Sequence, residues 1–67
     1  MQDRLQNTIK VQRAKKDLTQ EQLAVLVNVT RKTINTVENG RYVPSTVLAL
    51  KLAQVLQVPV EELFFLE

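Results

Sequence analysis

The chemistry this sequence offers is a row of hydrogen-bonding side chains. Over residues 31–39, Arg31, Lys32, Asn35, Thr36 and Asn39 share one side of a helix if Ile34 and Val37 point inward. Glu38 is the one carboxylate in that stretch. A short helix with a donor-rich outer face, braced by a second helix, suits the major groove of duplex DNA. There each base pair shows a distinct pattern of donors, acceptors and methyl groups. Arg suits two-pronged contact with guanine, and Lys can make the same contact or bind phosphate. The competing reading of Arg31 and Lys32 is a pair of solvated charges on an exposed helix.

Other chemistry finds little support. Ser45 is the only serine and the chain has neither His nor Cys, so no hydrolytic triad can be assembled. Glu61 and Glu62 are adjacent on a helix and do not face each other. A single Gly cannot build a phosphate-cradling loop, and the lack of Cys removes thiolate metal sites. The expectation is a non-enzyme that holds no cofactor and no metal.

The helix that carries the row must be held by its neighbour. Thr19 followed three residues later by Gln22 predicts a capping box at the start of that neighbour, which runs to Val27. Thr30 opens the next helix, over Arg31–Asn39, and Gly40 ends it. Asn28, between Val27 and Val29, tolerates the left-handed backbone of a sharp turn. Leu23, Ala24 and Val27 give the first helix an apolar stripe that can meet Ile34 and Val37, and the small Ala24 permits close approach.

Outside this unit the pattern is also helical. A first helix is expected from Met1 to Lys16, capped by Asp3 with Gln6 or by Asn7 alone. Leu5 and Ile9 would share one face, Val11 and Ala14 a neighbouring one, and Asp17 would end the helix before Leu18 enters the core. An extended arm is the alternative for the first six residues. Residues 40–44 form a loop closed by Pro44. Ser45 caps a helix over Thr46–Leu56, and Pro59 starts a fifth from Val60 to about Phe65, with Glu61 and Glu62 near its positive end. Leu63 and Phe64 would close the core. The expectation is an all-α, five-helix domain over residues 1–67, with its helix-turn-helix at 19–39.

The chain has 67 residues, and one this short buries only about 60% of its unfolded surface. Its own core therefore supplies at most a few kcal/mol. The net charge of +2 is modest, so placement of charge matters more than its sum. No apolar run approaches the roughly 20 residues of a membrane span, and no leader opens the chain, so a cytoplasmic protein is expected. Val47, Leu50, Phe65 and Leu66 are surplus to one small core. They either fold back on it or form a dimer surface within residues 47–66.

Taken in order, these residues resemble the Xre/Cro-type, lambda-repressor-like helix-turn-helix regulators. The resemblance runs from about Asn7 to Phe64. It is carried by Leu18-Thr19-Gln20 with Leu23-Ala24, by Val29-Thr30, by Ile34 and Val37-Glu38-Asn39-Gly40, and by Pro44, Leu52-Ala53 and residues 58–64. It implies that Gln20 at the start of its helix, with the N-terminal turn at Thr19, meets the DNA backbone. It implies base-edge contacts for Arg31, Lys32 and Thr36, and phosphate or groove-edge positions for Thr30, Asn35, Asn39 and Arg41. It also pairs Arg13 with Glu38 between the first and third helices, which would hold that one acid inward. Asn28 and Asp17 stand where the family often has Gly, and Gln12 where it often has an apolar residue. The implied protein is a transcriptional regulator of double-stranded DNA, more readily a repressor than an activator. It would act as a homodimer on a palindromic operator with half-sites about one helical turn apart. Alternatives are an antitoxin or restriction-controller type regulator of the same fold, or a protein-interaction module that has lost DNA.

Overall fold

The computed structural model describes residues 3–67. Strand β1 (Leu5–Asn7) is followed by helices α1 (Ile9–Lys15), α2 (Gln20–Val27), α3 (Arg31–Glu38), α4 (Thr46–Leu56) and α5 (Val60–Leu63). Strand β2 (Phe64–Leu66) ends the fold. The five helices appear as expected, but the chain is not purely α. The strands pair antiparallel, Leu5 opposite Leu66, Gln6 opposite Phe65 and Asn7 opposite Phe64. The pairing is extended by the Glu67 amide, which donates to the Arg4 carbonyl at 2.9 Å.

This ribbon corrects three expectations. The first helix begins at Ile9, not near Met1; residues 1 and 2 lie outside the described residues, and Leu5–Asn7 is strand. The alternative of an extended arm for that segment is the closer description. Asp3 and Gln6 cap no helix. The Asn7 side chain instead accepts from the Ile9 amide at 3.1 Å, while Thr8 holds the N-cap position and turns its hydroxyl away from the helix, donating to the Glu62 carbonyl at 3.0 Å. The fifth helix stops at Leu63, and Phe64 is already extended (φ −127°, ψ 138°). The physical reason is long-range: Leu5 and Ile9 have helical spacing, but Leu5–Asn7 and Phe64–Leu66 satisfy their backbone groups on each other.

The core is apolar throughout. Ile9, Leu23, Ala24, Val27, Ile34, Val37, Leu48, Leu52, Ala53, Leu56, Leu63 and Phe64 are buried in one cluster, and no polar residue is buried among the described residues. Val11 and Ala14 face solvent, so α1 meets the core chiefly through Ile9.

Start signals are local and behave as their residue types dictate. Thr19 Oγ1 accepts from the Gln22 amide at 3.0 Å, and Gln22 Oε1 accepts from the Thr19 amide at 2.9 Å, closing a capping box. Thr30 caps α3 and Ser45 caps α4 through the amides of Thr33 and Leu48. Four helix ends share one device. Amides of Leu18, Val29, Arg41 and Val58 reach back to the carbonyls of Arg13, Ala24, Thr36 and Ala53. A left-handed residue precedes each donor: Asp17, Asn28, Gly40 and Gln57. Leu18, Val29 and Val58 then pack against the core, which locks three of the four turns. Arg41 does not; it is exposed.

Candidate nucleic-acid interface

Helix α3 lies across the surface with Ile34 and Val37 buried beneath it. Its outer side carries Arg31, Lys32, Asn35 and Thr36, with Asn39 at the C-cap. Arg31, Lys32, Asn35, Asn39 and Arg41 are exposed, and Thr36 is half-buried. The structure thus brings these residues together on one side, with Thr30 capping its start and Arg41 just past its end.

The flank of α3 that faces α2 is tied down by hydrogen bonds. Gln20 Nε2 donates to Asn35 Oδ1 and to Glu38 Oε1, each at 3.2 Å, and Gln20 Oε1 accepts from Arg31 Nε at 3.4 Å. Gln20 is therefore a strut between the two helices as well as a residue beside the outer face. Thr19 is exposed at the same corner, at the positive end of α2.

Glu38 is the lone acid on this helix, and its charge is compensated from within. Arg13 Nε donates to Glu38 Oε2 at 2.7 Å and its NH2 group donates to Glu38 Oε1 at 3.3 Å, a two-pronged pair. The side chains are 14% and 7% exposed. Arg13 also donates to the Leu18 carbonyl at 2.8 Å, so one guanidinium joins α1, the turn before α2, and α3. Among the described residues, the charges along the outer side that take part in no salt bridge are cationic: Arg31, Lys32 and Arg41.

Asn7 is a functional candidate that sequence reasoning considered only as a cap for α1. Its Nδ2 donates to the Val37 carbonyl at 3.0 Å and to the Glu38 carbonyl at 3.4 Å, at the C-terminal end of α3. With Oδ1 on the Ile9 amide, one side chain links the ribbon, the start of α1 and the end of α3. Tyr42, half-exposed beside Lys32, Thr36 and Arg41, was also passed over. Nothing in the local pattern singles out either residue.

The surplus apolar residues fall on two elements. Val47 and Leu50 stand exposed on α4, whereas Phe65 and Leu66 stand exposed on β2 rather than on a helix. Among the described residues no group of acidic side chains is arranged to hold a metal ion, and no helix is long and apolar enough to cross a membrane.

The comparisons agree with this geometry. The helix-turn-helix family matches residues 9–63. The uncharacterized HTH-type transcriptional regulator YgzD of Bacillus subtilis is 41% identical over 63 residues, covering 94% of this chain and 96% of that protein. An uncharacterized HTH-type transcriptional regulator of Methanocaldococcus jannaschii is 43% identical over 63 residues, with 94% and 96% covered. Among solved structures, the restriction-modification controller protein C.AhdI from Aeromonas hydrophila superposes with a TM-score of 0.75 at 37% identity. That match covers 81% of this chain and 82% of that one. The capped α2–turn–α3 unit, its donor-rich outer side and these likenesses together place the chain in the Xre/Cro-like helix-turn-helix family of DNA-binding transcriptional regulators.

Proposed function

We propose that this protein is a sequence-specific repressor that reads the major groove with α3 and acts as a cytoplasmic homodimer on a palindromic operator. The observation that carries the reading is the sorting of charge on α3. Its one acid is turned in against Arg13, while Arg31 and Lys32 are left outward beside Arg41. Arg31, Lys32 and Thr36 read base edges. Thr19, Gln20, Thr30, Asn35, Asn39 and Arg41 hold phosphates or the groove edge and so set the register. Repression needs only occupancy of a promoter. No part of the site calls for a cofactor or a catalytic step.

Two copies are brought together through the exposed apolar residues of 47–66, namely Val47, Leu50, Phe65 and Leu66. Phe65→Asp with Leu66→Asp is expected to give a folded monomer, seen in sedimentation, with weakened operator binding. A double variant that still dimerises moves the interface elsewhere. The likeness to C.AhdI favours a narrower role within the same class, control of a restriction-modification system.

Selection from a random duplex pool near physiological salt tests the function directly. The expected product is a palindrome with half-sites about one helical turn apart. Its affinity should fall steeply with added salt as phosphate contacts release counterions. A folded protein that enriches no sequence overturns the reading in favour of a protein-interaction module.

A further inference from the structure

The flank of α3 away from α2 borders a shallow hollow of about 280 Å³, lined by Lys32, Thr33, Thr36, Arg41 and Tyr42. Its surface is mostly apolar, which is unexpected beside two cations. The hydrogen-bonding pattern explains it. The Thr36 hydroxyl donates to the carbonyls of Lys32 and Thr33, at 3.0 and 2.9 Å. The Thr33 hydroxyl lies 3.1 Å from that of Thr30. With both hydroxyls held inside the chain, the threonines offer the hollow methyl surface, and Tyr42 adds an aromatic ring. Lys32 and Arg41 supply positive charge at its edge.

We infer that this hollow receives the 5-methyl group of a thymine in the operator, making Thr36 and Tyr42 specificity-determining residues. The inference rests on the DNA-binding reading and deepens it. The thymine methyl is the one apolar group that base pairs present in the major groove, and threonine methyls and aromatic rings are suitable partners. Charge complementarity commits the occupant: the Lys32 and Arg41 cations draw in a polyanion, so a duplex fits this edge and an apolar peptide does not. Thr36 then reads its base by shape, since its only donor hydrogen is engaged within α3. Tyr42, which follows α3 and belongs to the loop, enters the recognition surface through this hollow.

The test uses the full chain and the duplex recovered by selection. Each thymine is replaced in turn by deoxyuridine, which removes only the methyl group. One thymine per half-site is expected to show about a fourfold loss of affinity, the value of one buried methyl group. Tyr42→Ala and Thr36→Ser, the latter keeping the hydroxyl, should abolish that difference. Both variants should bind the thymine and uracil duplexes within about twofold of each other, while their melting temperatures stay near that of the unaltered protein. If no uracil substitution matters, or if the penalty survives in both variants, the inference is overturned while the regulator reading stands. A pool that yields no enriched duplex overturns the regulator reading and this inference with it.

Discussion

The two sides of α3 are built on opposite principles. The inward side has its partners fixed. Ile34 and Val37 are buried, Glu38 is gripped by Arg13 and Gln20, and Asn7 binds the last carbonyls. The outward side keeps Arg31, Lys32, Asn39 and Arg41 in solvent. An unpaired charge is costly inside and cheap outside, because water solvates it there. The inward residues can therefore fix the helix in place, and the outward ones can change identity with little effect on folding. On the proposed reading, stability and recognition are largely divided between the two sides of one eight-residue helix. They meet at Gln20, which braces α3 through Arg31 and Asn35 of the outer face.

This division can be broken by substitution on either side. The largest effect is expected from Arg13→Ala, which strands a mostly buried carboxylate and frees the Leu18 carbonyl. A loss of about 3 kcal/mol in urea unfolding is expected, as for other broken buried pairs. The sequence preference of the protein that remains folded should be unchanged; an altered preference would show that the inward network also sets readout.

Arg31→Ala probes the other side. Operator affinity should fall by about 1–3 kcal/mol and choice at one base pair should relax, with unfolding unaffected. A stability loss equal to that of Arg13→Ala would erase the distinction between the sides. Asn7→Ala removes the link between the ribbon and the end of α3, and about 1 kcal/mol of stability should go with it. If operator affinity falls more than stability does, Asn7 sets the angle of α3 rather than merely holding it.

The smallest effect belongs to a turn remote from both sides. Gln57 ends α4 in the left-handed region at φ 59°. Gln57→Gly should relieve backbone strain and stabilise by about 0.5–1 kcal/mol, partly offset by the greater freedom of glycine in the unfolded chain. A thermal melt measures it, and DNA binding should not change.

The helix ends show where sequence reasoning works and where it stops. Thr19, Thr30 and Ser45 announced their helices because a cap and its partner amide lie three residues apart. Asn28 and Gly40 were readable as left-handed stops, whereas Gln57 was not, since its residue type gives no such signal. The row of donors on α3 was legible from the 3.6-residue period alone. Tyr42 carries no such signal, because its place beside Lys32 and Thr36 depends on the path of a loop, which no periodicity describes.

What the sequence by itself determined is what contiguous residues can enforce on one another. That covers the starts of α2, α3 and α4, the burial of Leu23, Ala24, Val27, Ile34 and Val37, and the family to which the pattern belongs. Only the tertiary structure decided that Leu5–Asn7 pairs with Phe64–Leu66 as a ribbon, so that Phe65 and Leu66 became strand. It alone turned Asn7 toward α3 and set Tyr42 beside Lys32 and Thr36. The physical reason is distance along the chain. A cap or a helical stripe is encoded within a few residues, but strand pairing and a hollow between helix and loop exist only after the core has brought remote segments together.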